Sequence, residues 1–459
     1  MKRILATLLV AALFLTACAS TPNAEKKPDN TQPQLPALEG SVAITGDGKE
    51  DTQLTAEATL ADTAAVPVYQ WYLDGEALRD ATGATFHVPV NAAGKSITVG
   101  VTAEGYSGEV KSEAVAAVAN PADFKSMAGM YYASKVIGRV FMNATDATAA
   151  QIEWPASGFE FNIDAKGGNL KIHYETNYEA TVSVFIDGQE QPRVTFVPIK
   201  AGYSCEFPVT AGIHNVKILR DGEPQTIANG YLKLKGVEFA GTVAERPADK
   251  ELYIEVIGDS ISSGIGTLGV YKPGGSHLAQ DDSATHTYGF YVAQDLDADY
   301  SIVAKGGIGV VQGEGSSGIN MMKAYEYTWK WSREEKYSFS RKPDLIILEL
   351  GANDSLANDV TTALYKQEIQ KFIQMLRQIH GEDVPILWLG RRQDNYHGQQ
   401  LTAVQELIQE TGDKNLYAVN FPCGSDGTGG VAGHPSAKNH RDFADQVTAY
   451  IKETIGLGK

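Results

Sequence analysis

The pattern of apolar and polar residues changes along the chain, and each part of the pattern predicts a different architecture. Residues 39–120 contain short alternating runs, spaced about 8–12 residues apart and separated by turn pairs such as Asp74-Gly75, as in an antiparallel β-sandwich. Residues 122–248 continue this alternation, and their glycines predict hairpin turns at Gly167-Gly168-Asn169, Asp187-Gly188 and Asp221-Gly222. The first half of the chain therefore predicts two β domains, of which the second is a sandwich or a jelly roll.

The pattern changes again in residues 249–459, where predicted strands alternate with predicted helices. Five runs have the near-continuous hydrophobicity of parallel strands that are buried on both faces, namely 252–257, 301–304, 345–350, 386–389 and 416–419. Between these runs, apolar residues recur at helical spacing, as at Ile369, Phe372, Ile373 and Leu376. Five such units predict an α/β domain built on a doubly wound, parallel five-stranded sheet.

The segment Tyr69-Gln-Trp71-Tyr72 resembles the strand that carries the core tryptophan of immunoglobulin-like bacterial surface domains. The resemblance identifies residues 39–120 as an immunoglobulin-like β-sandwich, although no cysteine pair accompanies the tryptophan. Because a fold does not imply a function, we expect this module to act as a spacer, with glycan binding as the alternative.

The first residues predict export from the cell. Lys2-Arg3 precedes an apolar stretch, residues 4–15, that is too short for a membrane span of about 20 residues. Leu15-Thr-Ala-Cys18 then resembles a bacterial lipobox, so residues 1–18 are interpreted as a lipoprotein signal peptide with Cys18 as the lipidated residue. An ordinary signal peptide is the alternative. Residues 19–38 are rich in Pro, Asn, Thr and Gln and predict a flexible linker to a bacterial envelope anchor.

Charge and cysteine content narrow the range of partners. The chain has 459 residues and a formal net charge of -17, which argues against nucleic acid or an anionic lipid surface as the main partner. The membrane is therefore expected to be contacted through the lipid anchor alone. Cys205 and Cys423 fall in different predicted domains, and two free thiols are expected, although export permits a disulfide bond between them.

Four polar groups follow strand ends in the predicted α/β domain. The first strand runs into Gly258-Asp259-Ser260, the second into Lys305-Gly306-Gly307 and the third into Gly351-Ala-Asn353-Asp354, and Gly433-His434 precedes the last helix. Because the carboxyl ends of parallel strands share one edge, these groups are expected to meet there. A hydroxyl, a bare backbone N–H, an amide and an imidazole are the nucleophile, oxyanion donors and base that acyl transfer needs.

These four blocks resemble those of the Ser-Gly-Asn-His hydrolases, also called the GDSL group, with Gly-Asp-Ser-Ile in place of Gly-Asp-Ser-Leu. With a jelly roll in front, the segment Tyr253-Ile-Glu-Val-Ile-Gly-Asp-Ser-Ile-Ser-Ser-Gly-Ile-Gly266 resembles carbohydrate esterase family 2, as does His434-Pro-Ser-Ala-Lys-Asn-His440. The resemblance covers residues 130–459. It implies a flavodoxin-like three-layer domain and an esterase that removes O-acetyl groups from plant polysaccharides such as xylan or glucomannan.

The same resemblance implies a role for each residue that matches a motif. Ser260 is the nucleophile and His434 the base, while Gly307, Asn353 and the N–H of Ser260 form the oxyanion hole, with Gly306 as the alternative glycine. No pair of histidines has a spacing that demands a metal, so no cofactor is expected.

One position departs from the wider superfamily, which has an Asp three residues before the catalytic His. Val431 occupies that position here, so a Ser-His-Asp triad is not supported. Another group must hold the imidazole tautomer. The resemblance implies the backbone carbonyl of Gly433, and Asp426 in the preceding loop is the alternative.

Several other residues are candidates for different roles. His397 also follows a predicted strand and is the main alternative base, whereas His286 suits a substrate loop or polar surface, and His440 lies too far along the last helix. Trp329 and Trp331, with two nearby tyrosines, indicate either a glycan cleft or a helix that packs aromatic residues into the core.

Two other function classes fit parts of the sequence. Residues 313–318 match the Gly-x-Gly-x-x-Gly pattern of dehydrogenases, but they follow their strand only after a long loop. A catalytically silent surface glycan-binding lipoprotein is the stronger alternative, together with an esterase of the same superfamily that acts on another ester.

Overall fold

The computed structural model describes residues 35–142, 148–196, 202–223, 230–270, 277–313, 318–329, 336–355, 360–391, 398–421 and 430–458. The predicted signal peptide with Cys18 and most of the linker lie outside these residues, as do four other residues discussed above, Trp331, His397, Cys423 and Asp426. Within the described part of the chain, no helix combines the length and the apolar character needed to cross a membrane.

The N-terminal module consists of two small antiparallel sheets. Its strands are β1 Gly40–Thr45, β2 Gln53–Leu60, β3 Pro67–Leu73, β4 Glu76–Ala77, β5 Thr85–His87, β6 Ser96–Ala103, β7 Val110–Lys111 and β8 Val115–Ala116. One sheet has the order β1-β2-β5, and the other has the order β4-β3-β6-β7 with β8 also paired to β6. Trp71 is fully buried between them and stacks on Phe86 at 5.0 Å. The immunoglobulin-like assignment of this module stays a prediction.

The second unit, here called the β domain, is one eleven-stranded antiparallel sheet. Its elements are β9 Phe124–Ser126, α1 Met127–Tyr131, β10 Lys135–Ile137, β11 Val140–Met142, β12 Ala150–Ile152, β13 Gly158–Thr176, β14 Ala180–Ile186, β15 Gln189–Glu190, β16 Val194–Phe196, β17 Tyr203–Asp221, β18 Leu232–Glu238 and β19 Gly241–Val243. The long strands β13 and β17 pair along most of their length and form its centre.

Two of the three hairpin turns predicted for this region are wrong. Gly167 and Gly168 lie inside the single strand β13, where φ values of 90° and 106° bend the strand without reversing it. Asp221 ends β17, whose neighbours are β13 and β14 rather than the following strand β18. The turn at Asp187-Gly188 is confirmed, because β14 and β15 pair across it.

The third unit, here called the α/β domain, contains five parallel strands with helices between them. Its elements are β20 Leu252–Gly258, α2 Ser260–Ser263, α3 Tyr288–Asp295, β21 Ala298–Ala304, α4 Met321–Tyr325, β22 Leu345–Glu349, α5 Ala352–Ser355, α6 Thr362–His380, β23 Ile386–Arg391, α7 Gly398–Thr411, β24 Leu416–Phe421 and α8 Ala437–Tyr450. The strand order is β21-β20-β22-β23-β24, and each pairing is parallel. The predicted fold class, a β-rich N-terminal region followed by a parallel five-stranded α/β domain, is confirmed.

Helix α6 shows how the sequence pattern becomes packing. Ile369, Phe372 and Leu376 are fully buried on one face of this helix, as their spacing predicts. They join a core cluster with Ile346 and Leu348 of β22, on one face of the sheet. A second cluster covers the other face, so the strands are buried on both sides.

Strand β20 carries one charged residue within its apolar run, and the β domain supplies its partner. Glu255 is 1% exposed, and its Oε1 accepts a hydrogen bond from Nη2 of Arg139 at 3.0 Å. The Arg139 guanidinium also lies 4.5 Å from the ring centre of Tyr325 and 4.3 Å from that of Tyr337. This buried ion pair joins the β domain to the α/β domain. Removal of one partner would leave the other as a buried charge without its counter-charge.

A second buried charge cluster lies within the β domain. Oε2 of Glu153 is 3.7 Å from Arg220 and accepts a hydrogen bond from Tyr178, while Oε1 accepts the Leu232 N–H at 2.9 Å. Burial raises the pKa of Glu153 from its ordinary value of 4.5 to about 7, against the opposing effect of Arg220. The carboxyl group therefore favours its protonated form more strongly in the folded protein than in the unfolded chain.

The Glu153→Gln variant tests this cluster through pH. Folding raises the pKa of Glu153, so the protonated carboxyl group stabilises the folded protein below the pKa of the unfolded chain. This stabilisation is lost as the pH rises toward the folded pKa of about 7. We expect the free energy of unfolding of the wild type, relative to Glu153→Gln, to fall by about 2–3 kcal/mol between about pH 5 and about pH 8. Urea unfolding at both pH values measures this. The exposed Glu206→Gln is the control, and an equal difference at both pH values would contradict the prediction.

Arg139→Met tests the ion pair between the domains. Removal of the guanidinium leaves the buried Glu255 carboxylate with only the Tyr325 hydroxyl and His380 beside it, and we expect the free energy of unfolding to fall by about 3–5 kcal/mol. The double variant Arg139→Met/Glu255→Gln is expected to recover part of this loss, because the amide has no charge. Lys438→Met breaks an exposed pair with Asp442 and is expected to change stability by less than about 1 kcal/mol. Equal losses in Arg139→Met and Lys438→Met would refute the assignment.

Candidate active site

The register of the parallel sheet brings three strand ends to the same level. Gly258, the last residue of β20, lies opposite Ala304 of β21 and Glu349 of β22. The three segments that follow these strands therefore start side by side at the carboxyl edge of the sheet. This edge is where open α/β sheets bind their ligands.

Ser260 is the first residue of the short helix α2. The buried Asp259 precedes it and caps the helix, because its Oδ1 accepts the N–H of Ile261 at 3.1 Å. The N–H of Ser260 has no acceptor among the described residues. Gly258 is required beneath this turn, since a Cβ there would lie 2.0 Å from Oγ of Ser262.

His434 reaches Ser260 from the other end of the domain. Its Nε2 lies 2.8 Å from Oγ of Ser260, within hydrogen-bond distance, although the two residues are 174 positions apart. Both side chains are partly buried. The structure therefore brings together the predicted nucleophile and the predicted base.

Backbone hydrogen bonds hold the His434 turn against the loop that follows α2. The N–H of Val431 donates to the carbonyl of Gly266 at 3.1 Å, and the N–H of Ala437 donates to Thr267 at 3.0 Å. A Cβ on Gly266 would lie 2.5 Å from the carbonyl oxygen of Val431, so this close approach requires glycine. The backbone thus fixes the distance between Ser260 and His434 independently of their side chains.

The two candidate glycines after β21 differ in the availability of their N–H groups. The N–H of Gly306 donates to Oε1 of Glu223, a β-domain residue, at 2.7 Å. Gly307 is exposed, has a φ of 77°, and has no described acceptor for its N–H. This difference favours Gly307 as the oxyanion donor, since the Gly306 N–H is already bonded.

Asn353 lies at the same edge, after β22. Its Nδ2 donates to the carbonyl of Ile308 at 2.8 Å and is 3.4 Å from Oδ2 of Asp259. The next residue, Asp354, is buried and accepts three backbone N–H groups at 2.7–2.9 Å, those of Val310, Val311 and Gln312. Burial raises the pKa of Asp354, and the three donors oppose this effect. The Asn353-Asp354 pair therefore holds the loop that follows Gly307.

The other candidate residues have partners elsewhere in the fold or lie outside the described residues. His440 is buried in α8, where its Nδ1 accepts the Tyr288 N–H at 3.2 Å. His286 bonds Ser283 at 2.8 Å. Trp329 is 4% exposed and packs edge-on against Trp154 at 5.2 Å, so it belongs to the core rather than to a glycan cleft. His397 and Asp426 lie outside the described residues.

Sequence reasoning missed Glu223 at this edge. It stands two residues after β17, in the β domain, and its partners Lys305 and Gly306 are more than eighty positions away. No motif marks it. The only available signal was an acidic residue beside the predicted turn Asp221-Gly222, and such residues are common in turns.

Two family models match consecutive parts of the chain. Residues 256–445 match the GDSL-like lipase/acylhydrolase family, and residues 136–247 match the carbohydrate esterase 2 N-terminal domain. The first of these matches contains Ser260, Gly307, Asn353 and His434, and the second contains most of the β domain.

Among characterised proteins, the chain is 25% identical over 322 residues to the cellulase/esterase CelE of Acetivibrio thermocellus, covering 68% of this chain and 38% of that relative. It is 23% identical over 334 residues to an acetylxylan esterase/glucomannan deacetylase of Cellvibrio japonicus, covering 70% of this chain and 91% of that relative. These matches span the β domain and the α/β domain together.

A solved structure of a family two carbohydrate esterase from Clostridium thermocellum, in complex with cellohexaose, shares the fold. The TM-score is 0.64 at 23% identity, over 70% of this chain and 99% of that one. The α/β domain thus matches the GDSL-like lipase/acylhydrolase family, and the β domain matches the N-terminal domain of carbohydrate esterase 2.

Proposed function

We propose that this serine esterase removes O-acetyl groups from plant polysaccharides of the xylan or glucomannan type through an acyl-serine intermediate. The observation that carries the proposal is the 2.8 Å contact between Nε2 of His434 and Oγ of Ser260. Next to this contact, the N–H groups of Ser260 and Gly307 have no described acceptors. A nucleophile, a base and open donors at one edge are the requirements of acyl transfer.

In the first half of the reaction, Oγ of Ser260 attacks the carbonyl carbon of the acetyl group while its proton passes to Nε2 of His434. A serine hydroxyl is a weak nucleophile at neutral pH until a base accepts this proton. The carbonyl oxygen becomes an oxyanion, and the N–H groups of Ser260 and Gly307 donate to it, while the Asn353 amide joins them by giving up its 3.4 Å bond to Asp259. Loss of one such donor typically costs about 3–4 kcal/mol of transition-state stabilisation.

His434 then gives its proton to the departing sugar oxygen, and the acetyl group remains on Ser260. In the second half of the reaction, water hydrolyses this acyl-serine. A water molecule, deprotonated by the same imidazole, then attacks the acyl carbon, and the oxyanion forms again between the same donors. Acetate leaves as Ser260 recovers its proton. One base and one set of donors serve both steps, so the reaction requires no further titrating group.

The imidazole needs a partner at its other nitrogen, and we assign this role to the backbone carbonyl of Gly433. Support comes from position 431, where a buried valine stands beside the His434 turn in place of the aspartate of the wider superfamily. Gly433 has a φ of 76°, a left-handed conformation that favours glycine, and this conformation sets the direction of the adjoining peptide.

The substrate class is inferred from the relatives. The Cellvibrio japonicus relative is named an acetylxylan esterase/glucomannan deacetylase, and the Clostridium thermocellum structure contains cellohexaose. We also propose that the chain is exported and anchored through lipid on Cys18, because residues 1–38 combine a lipobox-like sequence with a polar linker.

Ser260→Ala tests the reaction. The wild type is expected to hydrolyse 4-nitrophenyl acetate and to release acetate from acetylated xylan or glucomannan. The variant is expected to lose at least about a thousandfold in turnover, because it lacks the oxygen that attacks the acetyl carbon. Acetate release from a panel of acetylated glycans measures the specificity. A wild type that cleaves lipid esters but none of the glycans would refute the substrate class, and an equally active Ser260→Ala would refute the mechanism.

Asp426→Ala tests what orients His434. If the Gly433 carbonyl holds the imidazole, turnover is expected to change by less than about tenfold, since a true triad aspartate contributes about 10⁴-fold. Steady-state hydrolysis of 4-nitrophenyl acetate measures the change. Asp413→Ala is the control, because Asp413 pairs with Arg377 away from the site. A loss of about a thousandfold that is confined to Asp426→Ala would make Asp426 a triad member.

A further inference from the structure

We propose that Glu223 of the β domain is a positioning residue, which holds the two backbone donors of the oxyanion hole at their working separation. This inference rests on the proposed esterase reaction. It makes the β domain a part of the active site rather than a neighbour of it.

The Glu223 carboxylate bonds to two segments of the α/β domain at once. Its Oε1 accepts the N–H of Gly306 at 2.7 Å and also bonds Nζ of Lys305. Its Oε2 accepts the hydroxyl of Ser263. The Glu223 side chain is 13% exposed and that of Lys305 only 3%, so these bonds form largely out of water.

Each of these segments carries one predicted oxyanion donor. Ser263 is the last residue of helix α2, which begins with Ser260. Gly306 immediately precedes Gly307. One carboxylate therefore links the helix that presents the Ser260 N–H to the turn that presents the Gly307 N–H. A fixed distance between these two donors is what preorganisation toward a developing oxyanion requires.

The contact also explains why the Gly306 peptide is fixed. The bond from the Gly306 N–H to Glu223 fixes the orientation of the peptide between Lys305 and Gly306. The φ of 77° at Gly307 then sets the direction of the chain that follows it. A Cβ on Gly306 would lie 2.9 Å from Oε1 of Glu223. The absence of a side chain at Gly306 thus permits the approach of the carboxylate.

Charge balance suits this position. A bare carboxylate close to a forming oxyanion would oppose it, but the Lys305 ammonium pairs with Glu223. The pair presents no net charge to the reacting acetyl group. Its contribution is therefore geometric, and a change in the charge of either partner alone is expected to disturb the site.

The β domain also holds the backbone of Glu223 in place. Nη2 of Arg220 donates to the backbone carbonyl of Glu223 at 2.5 Å, and the buried Arg220 side chain also contacts Glu153 and Tyr178. Arg220 lies on β17, which pairs with β13 from Gly158 to Tyr174. Glu223 thus stands two residues beyond the end of a long paired strand and is tied to that strand through Arg220.

Asp299 provides a matched control for a merely structural role. Like Glu223, it is a carboxylate in an ion pair between the β domain and the α/β domain, with Lys135 at 2.9 Å, and it is 12% exposed. It lies near the start of β21, at the opposite end of the strand from Gly307. Asp299→Asn should weaken the contact between the domains without a change at the donors.

The test compares Glu223→Gln, Glu223→Ala, Ser263→Ala and Asp299→Asn with the wild type. Burst titration with 4-nitrophenyl acetate counts active sites, so that kcat refers to correctly folded enzyme. We expect kcat per site to fall about 10- to 100-fold in both Glu223 variants, with KM within about threefold. The inhibition constant of methylboronic acid, which forms a tetrahedral adduct on serine, is expected to rise in parallel. Ser263→Ala is expected to show a smaller loss of the same kind.

Asp299→Asn is expected to keep kcat and the boronate inhibition constant within about twofold, even where its midpoint of thermal unfolding falls as far as that of Glu223→Gln. If Glu223→Ala does not fold, Glu223→Gln and Ser263→Ala decide the question. Unchanged kcat per site and boronate inhibition in these variants would overturn the proposal, as would equal losses in Asp299→Asn. A wild type without esterase activity would instead refute the proposed function, which separates the two failures.

Discussion

Three parallel strands end at the same level of the sheet, and the rest of the site depends on this register. Gly258 pairs with Ala304 on one side and with Glu349 on the other, so the chain leaves β20, β21 and β22 at the same height. A shift of one strand by a residue would turn its side chains to the opposite face and move its donor away from the edge. The 2.8 Å contact of Ser260 with His434 becomes useful only because the register also places Gly307 and Asn353 beside it.

Three carboxylates, two of them buried and one half-buried, then make this edge a rigid site. Asp259 caps the helix that starts at Ser260, Asp354 accepts three N–H groups of the loop after Gly307, and Glu223 joins that loop to the helix. An ionised carboxylate has two oxygens and no donor hydrogen, so it can accept from more backbone N–H groups at once than an amide or a hydroxyl oxygen can. Each carboxylate loses hydration when it is buried, and these donors compensate for that loss.

The sequence predicts those features that depend on local pattern and chain order. The five strands and the residues after them follow from apolar runs and from the common edge of parallel strands. Features that depend on distant partners could not be predicted in this way. Glu255 interrupts an apolar strand because Arg139, 116 positions away, neutralises it. The turn predicted at Gly167-Gly168 failed because glycines with positive φ bend a paired strand as readily as they reverse it.

The β domain therefore has a physical reason to stand next to the α/β domain in this chain. Loops at the carboxyl edge of a sheet are free to vary, and this freedom works against fixed donors. A carboxylate carried by the end of a long paired strand transfers the rigidity of that strand to the edge. Arg220 contacts Glu153 and also holds the backbone of Glu223, and Lys305 neutralises the Glu223 carboxylate next to the proposed oxyanion site. In this proposal, the β domain and the α/β domain together set the distance between the two backbone donors.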